Sequence, residues 1–226
     1  MVGLYDREGG LHRDVPVRHA GRALEDAGAA MIMLHGRGAT ADDILTLVHE
    51  LRQDSFAYLA PQAANFAWYP YSFLAPLERN EPWLSSALDL IASILDKIVR
   101  TGIPQDRIML LGFSQGACLV LEYAARNPGK YGGLVGFSGG LIGPPGIQWG
   151  YSGSLEKTPL FLGCSDVDPH IPKQRILETA GALRKMDAQV EVQLYPGMGH
   201  TVNTDEISRA RQIMQDLLPP SIAKIS

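Results

Sequence analysis

The stretch Arg107-Ile108-Met109-Leu110-Leu111-Gly112-Phe113-Ser114-Gln115-Gly116-Ala117-Cys118-Leu119-Val120-Leu121 changes character at its midpoint. Up to Leu111 it is a short apolar run of strand length, without the polar alternation of a half-exposed strand. From Ala117 onward it reads as a helix. The residues between, Gly112-Phe113-Ser114-Gln115-Gly116, must turn one element into the other. A side chain at either glycine position would collide with the adjoining strand or helix, so small residues are required on both sides of the serine. The turn holds the Ser114 hydroxyl at a helix N-terminus, where the dipole and unpaired N–H groups favour developing negative charge. A serine that merely caps the helix is the plainer reading of the same motif.

The same succession recurs along the chain. Apolar runs fall at residues 30–35, 55–60, 107–112, 133–138, 159–164 and 189–195, with helical stretches between them. Thr40-Ala41-Asp42-Asp43 reads as a capping box opening a helix to about Arg52. Leu84, Leu88, Ile91, Leu95 and Ile98 recur every three or four residues, an apolar stripe on one helical face. Residues 114–126, 171–186 and 205–218 complete the helices. Strand and helix in alternation, with near-continuous apolar strands, predict a three-layer α/β domain: a mostly parallel sheet with helices on both faces. No repeat or linker divides the chain, so residues 1–226 are expected to form one domain. In such sheets ligands collect at the carboxyl ends of the strands.

Composition narrows the classes. At 46% apolar and 19% charged residues, the chain can bury a core and is not a disordered tail. Lys plus Arg number 20 against 24 Asp plus Glu, and this net charge of -4, with no basic block, offers no footprint for nucleic acid or an anionic membrane. Cys118 and Cys164 are too few for a disulfide framework and sit in apolar stretches, as buried thiols of a reducing compartment would. Residues 1–8 lack the apolar core of a signal peptide, and no apolar run approaches the roughly 18 residues of a membrane span. A cytoplasmic location is expected.

A serine hydroxyl becomes a nucleophile only when a base takes its proton. His12, His19, His35, His49, His170 and His200 are available. His200 ends the tight loop Tyr195-Pro196-Gly197-Met198-Gly199-His200 after the final strand, on the same rim as Ser114. His49 falls inside a helix and reads as a surface residue, and His170 as a solvent-facing loop residue. A carboxylate must orient the imidazole and stabilise its cation. Ser165-Asp166-Val167-Asp168-Pro169 follows the strand at 159–164, and either Asp166 or Asp168 suits. Ser, Asp and His in that chain order are the order of the α/β-hydrolase fold. The strand at 30–35 ends in His35-Gly36-Arg37-Gly38, whose glycines let the backbone approach closely and turn an N–H inward. The amides of Arg37 and Gln115 are the expected donors to a carbonyl oxygen gaining charge. An ordinary strand-to-helix turn is the bland alternative.

With these pieces together the chain resembles the phospholipase/carboxylesterase family of small α/β hydrolases, which includes the acyl-protein thioesterases. The resemblance runs from about Ala29 to Leu217. It is anchored by Leu34-His35-Gly36-Arg37-Gly38, Gly112-Phe113-Ser114-Gln115-Gly116, Asp168-Pro169-His170-Ile171-Pro172 and Gly197-Met198-Gly199-His200. It implies Ser114 as nucleophile, His200 as base, and an oxyanion hole at the amides of Arg37 and Gln115. The acid loop departs from the pattern. Counted from Gly163 the family spacing selects Asp166, while its Asp-x-x-Val/Ile-Pro frame selects Asp168. The second frame matches over more positions, so Asp168 is taken as the acid with Asp166 as its rival.

Phe66, Trp68, Tyr69, Tyr71 and Phe73 crowd residues 61–80, which follow a strand and should overhang the rim. Trp68, Tyr69 and Phe73 are the expected substrate-binding residues, since concave apolar walls suit an acyl or aryl group. The alternative is that these rings pack the loop onto the body. The Gly- and Pro-rich residues 139–153 are expected to form a mobile rim, and Arg37 and Glu78 to tune the entrance. No inserted amphipathic lid is visible. The expected activity is that of a serine carboxylesterase on small, soluble carboxylic (acyl or aryl) esters, through an acyl-enzyme at Ser114. Acyl thioesterase, lysophospholipase and a non-catalytic ligand-binding protein on the hydrolase fold are the alternatives. A dienelactone-type hydrolase would want Cys at position 114. No cofactor is expected: there is no Gly-x-Gly-x-x-Gly or Walker loop, and no His/Cys cluster has metal spacing. Asp166-Val167-Asp168 opens like a calcium loop but has Leu177 where the bidentate Glu belongs. The expected partner is a small-molecule ester, with no nucleic acid and no stable membrane association; a homodimer stays open.

Overall fold

The computed structural model describes residues 11–218, so the reading of residues 1–8 lies outside the described residues. All six apolar runs become strands of one seven-stranded sheet. In chain order these are β2 (Ala29–Leu34), β3 (Phe56–Pro61), β4 (Ile108–Phe113), β5 (Gly133–Phe137), β6 (Pro159–Ser165) and β7 (Gln189–Tyr195), each within two residues of its expected bounds. They pair in parallel in the order β3-β2-β4-β5-β6-β7. The seventh, β1 (Val17–Gly21), lies antiparallel to β3 at the sheet edge. Its sequence Val-Arg-His-Ala-Gly gives no signal because an edge strand, half exposed on both faces, carries no apolar run.

Helices cover both faces. Along β2, Ala30, Ile32 and Leu34 share one core with α3 (Trp83–Arg100), α4 (Gln115–Arg126) and α5 (Lys173–Lys185). Ala29, Met31 and Met33 share the other core with α1 (Ala41–Leu45), α2 (Val48–Leu51) and α6 (Thr204–Leu217). Burial on both faces is the cause of the unbroken apolar run. All five stripe residues of α3 are buried.

The helix expected to run from Thr40 to about Arg52 is divided. Its capping box forms, with the Thr40 side chain accepting from the Asp43 amide and the Asp43 carboxylate from the Thr40 amide. The Thr46 hydroxyl then donates to the Asp43 carbonyl at 2.7 Å, and the Thr46 and Leu47 amides bond three residues back. This local competition tightens the backbone and separates α1 from α2.

The strand order also fixes where a ligand can sit. From β2 the chain steps outward to β3, then crosses back to β4 on the opposite side of β2. That reversal opens a crevice at the carboxyl ends of β2 and β4.

Behind this crevice, Asn203 caps α6 and forms a reciprocal capping box with Glu206. The Glu206 side chain is fully buried, and its Oε1 has no hydrogen-bond partner among the described residues. Burial pushes its carboxyl up from 4.5 to about 7, against the opposing hydrogen bond from the Asn203 amide. Because folding raises the value, the stabilising contribution of the protonated form is fully present below about pH 4.5 and is lost as pH rises through about 7. Glu206→Gln keeps the cap acceptor but cannot ionise. Its urea midpoint is expected to match the parent's at pH 4 and to exceed it at pH 8; equal midpoints at both pH values would contradict a buried, titrating Glu206.

Candidate active site

Ser114 sits between β4 and α4 with φ 55° and ψ -119°, a strained left-handed conformation held by the surrounding backbone. Its amide donates to the Phe137 carbonyl at 2.9 Å, and its carbonyl accepts from the Cys118 amide at 3.0 Å. The glycines explain why the turn closes. A Cβ on Gly116 would overlap the carbonyl oxygen of Leu34, and one on Gly112 would overlap the Gly116 carbonyl. Both obstacles are backbone, which cannot rotate away.

The Ser114 hydroxyl does not cap α4. It lies 2.8 Å from His200 Nε2, while His200 Nδ1 lies 2.7 Å from Asp168 Oδ2. One neutral tautomer satisfies both contacts: Nδ1–H donates to the carboxylate and Nε2 accepts from the hydroxyl. Asp168 Oδ1 accepts the amides of His170 and Ile171 at 2.8 and 3.0 Å. Burial pushes the Asp168 carboxyl up, but the hydrogen bonds from His200 and those two amides outweigh it and hold the group below its ordinary value. Asp166 instead shapes the loop that carries His200, its Oδ1 accepting the Gly197 amide at 2.9 Å. The buried Cys164 thiol, 3.7 Å from Asp168 Oδ2, is pushed up to about 12 by burial and stays neutral beside the carboxylate.

His170 is exposed, as its loop position implied, but it is not idle. Its ring meets that of His200 edge-on with centroids 4.8 Å apart, and the Phe113 ring stands 4.9 Å from His200 as well. The sequence carries no signal for this contact, because the packing of two loops after different strands brings the rings together. His49 is on the surface of α2 as expected.

The Arg37 amide has no hydrogen-bond partner among the described residues, and the Gln115 amide heads α4, where no intrahelical acceptor exists. The turn carrying Arg37 abuts the serine, since a Cβ on Gly36 would stand 3.4 Å from Ser114 Cβ. His35 braces this turn from beneath. Its Nε2 accepts the Ala63 amide at 3.0 Å and its Nδ1 donates to the Gly36 carbonyl at 2.7 Å. Burial lowers its affinity for a second proton, so it stays neutral.

Of the aromatic residues expected to face substrate, Tyr69 and Phe73 line a cavity of about 550 Å³ together with Ser114, His170, Ile171 and His200. Trp68 does not. It is fully buried, its indole N–H donating to the His35 carbonyl at 2.8 Å, so it packs the loop onto the body. The Gln115 side chain adds two further ties, accepting from the Trp68 amide and donating to the Tyr69 carbonyl. Residues 139–153, expected as a mobile rim, are likewise pinned. Buried Arg175 donates to the carbonyls of Leu141, Gly143 and Pro144, and Glu122 accepts from the Ile142 amide and the Tyr151 hydroxyl. Among the described residues there is no group of His, Cys, Asp and Glu fit to hold a metal, and no helix long and apolar enough to cross a membrane.

A mostly parallel sheet with a strained serine turn after one strand, an aspartate loop and a histidine loop after later ones, defines an α/β hydrolase. The chain belongs to the phospholipase/carboxylesterase family, whose model matches residues 22–218. It is similar to a phospholipase/carboxylesterase from Dyadobacter fermentans, at 44% identity and a TM-score of 0.85 over 89% of this chain and 96% of that one. It shares its fold with esterase PE8, at 21% identity and a TM-score of 0.74 over 90% of this chain and 99% of that one. Acyl-protein thioesterase 1 of Neurospora crassa is 26% identical over 218 residues, covering 84% of this chain and 87% of that protein. The protein is thus a serine hydrolase of the carboxylesterase type.

The packing of the elbow is open to test. Gly116→Ala is expected to cost about 3 kcal/mol or more, since the intruding methyl meets rigid backbone, and to abolish labelling by a fluorophosphonate. Gly199→Ala, with no atom within 4 Å of the added Cβ, is the matched control and should be tolerated. A Gly116→Ala protein that melts and labels like the parent would refute the collision.

Proposed function

We propose that the protein is a serine carboxylesterase acting on small, soluble acyl or aryl esters. The observation that carries this reading is the continuous line from Ser114 Oγ through His200 to Asp168, with Ser114 and His200 lining the cavity. As Ser114 Oγ attacks the ester carbonyl carbon, its proton passes to His200 Nε2, and ionised Asp168 stabilises the imidazolium. The carbonyl oxygen becomes an oxyanion, which the amides of Arg37 and Gln115 receive without reorganising. The intermediate collapses, the C–O bond to the alcohol breaks, and His200 returns its proton to the departing oxygen. Water, activated by the same imidazole, then releases the acid from the acyl-enzyme. Asp168, not Asp166, is the orienting acid in this scheme. Residues 1–226 act as one hydrolase domain in the cytoplasm, on a small-molecule ester and without cofactor, nucleic acid or stable membrane association.

A thioester is a second reading, supported by the names of the acyl-protein thioesterase relatives. The same acyl-enzyme serves both leaving groups. A chain-length series of p-nitrophenyl esters run beside the matching acyl thioesters separates them by kcat/KM.

Two measurements test the mechanism. A fluorophosphonate adduct should map to Ser114, and Ser114→Ala should lose ordinary esterase activity; an adduct elsewhere would overturn the assignment. Asp168→Asn, which preserves shape but favours the wrong tautomer, should lower kcat by about 10⁴-fold, with Asp166→Asn affected far less. The reverse ranking would assign the acid to Asp166.

A further inference from the structure

The cavity lining includes one arginine, Arg37, with no ion pair among the described residues. Arg37 is exposed, and its guanidinium donates to the carbonyls of Pro70 and Tyr71 at 2.9 and 2.7 Å and stands 6.0 Å from the centre of the Tyr69 ring. Two of its five N–H donors are thereby used, and it forms no ion pair among the described residues. Outside the lining, Arg79 lies over the ring of Tyr71 at 4.1 Å, next in the chain to Glu78. The cavity lining contains Arg37, His170 and His200 but no carboxylate; the Asp168 side chain is 0% exposed behind His200. Arg37 is thus the one residue among Lys, Arg, Asp and Glu in the lining, and it stands in a chain of net charge -4, so its charge is a local arrangement and not a reflection of overall composition. A guanidinium anchored by two carbonyls is preorganised, and its remaining N–H donors are left for an anionic oxygen.

We propose that the site selects esters bearing a carboxylate, held by Arg37, over neutral esters of the same length. The proposal rests on Ser114 as the nucleophile and adds the charge of the substrate. The role of Arg37 in tethering the aromatic loop does not compete with it, because a tether alone cannot distinguish two substrates by charge.

The test compares charged and neutral members of two ester pairs on one protein. The first pair, p-nitrophenyl hydrogen adipate and p-nitrophenyl methyl adipate, places the charge on the acyl side. The second, m-(carboxymethyl)phenyl acetate and its methyl ester, places it on the leaving group. At low ionic strength, kcat/KM should favour the anionic member of at least one pair by about ten- to a hundredfold, the range of a hydrogen bond to a charged group. The preference should shrink at about 1 M salt, where the screening length falls to about 3 Å. Arg37→Met should bring the ratio to within about twofold of one, while Arg37→Lys keeps part of it through charge alone. The ratio cancels any common loss from a disturbed oxyanion hole or loop. If Arg37→Met does not fold, the parent decides: free adipate should inhibit hydrolysis of the neutral ester competitively, and salt should relieve the inhibition. A parent ratio near one for both pairs, a preference indifferent to salt, or a ratio surviving in Arg37→Met overturns the proposal. Failure of the underlying mechanism would appear separately, as Ser114→Ala turning over both members of a pair.

Discussion

The glycines at 112 and 116 let the backbone of α4 press against the ends of β2 and β4, and most of the site follows from that contact. With no Cβ at either position, the helix begins immediately after the strand, and Ser114 is forced into a conformation that most residues avoid. The same closeness sets the Gln115 amide beside the turn after β2, where the Arg37 amide is free. The turns that carry these two amides, nearly 80 positions apart in the chain, therefore meet because two backbones touch. Neither donor depends on a side-chain rotamer, and a site built from backbone dipoles needs little rearrangement as charge develops.

Around this fixed corner, charge is distributed by environment. Asp168 and Asp166 are two residues apart, yet only Asp168 faces His200. Two amides and an imidazole N–H crowd the Asp168 carboxylate and keep it ionised despite burial. Both thiols near the site are driven the other way, with Cys118 and Cys164 pushed up to about 12 by burial. They remain neutral fillers, so the serine faces no rival nucleophile from the protein itself. His35 is neutral for the same reason and can therefore serve as an acceptor to the Ala63 amide.

Fold and chemistry are legible to different depths in the sequence. Strands buried on both faces write continuous apolar runs, and α3 writes its stripe, because their environments are uniform along their length. The edge strand β1 is invisible since its residues face mixed surroundings, and the break between α1 and α2 comes from one hydroxyl competing for a carbonyl. At the site, Ser114, Asp168 and His200 are readable because each is tied to its strand end by local turn chemistry. Trp68 departs from its expected surroundings, and the contact of exposed His170 with His200 is unsignalled, for one reason: nothing local tells which face of a loop an aromatic ring presents. The pinning of residues 139–153 leaves no local trace either, because its anchors, Glu122 and Arg175, lie on α4 and α5, remote from the Gly and Pro content of that segment.

The aromatic loop and the oxyanion corner share hydrogen bonds, and this coupling bears on specificity. Trp68 donates to the carbonyl of His35, one residue before the oxyanion turn, and Gly38 donates to the carbonyl of Phe66 at 2.7 Å. Gln115, whose amide is one proposed oxyanion donor, holds the Trp68 amide and the Tyr69 carbonyl with its side chain. Arg37, the other amide donor, grips the next two carbonyls, those of Pro70 and Tyr71. In the proposed mechanism both residues offer their backbone to the transition state, while their side chains hold the aromatic loop. A substrate that seats well against Tyr69 and Phe73 presses on the same atoms that position the two amides. Contacts remote from the ester can then be expressed in kcat, because they improve the geometry of the donors and do not merely retain the molecule. The converse also holds: a side-chain change at either residue loosens the aromatic loop that this side chain holds, so its effect reaches the wall of the cavity.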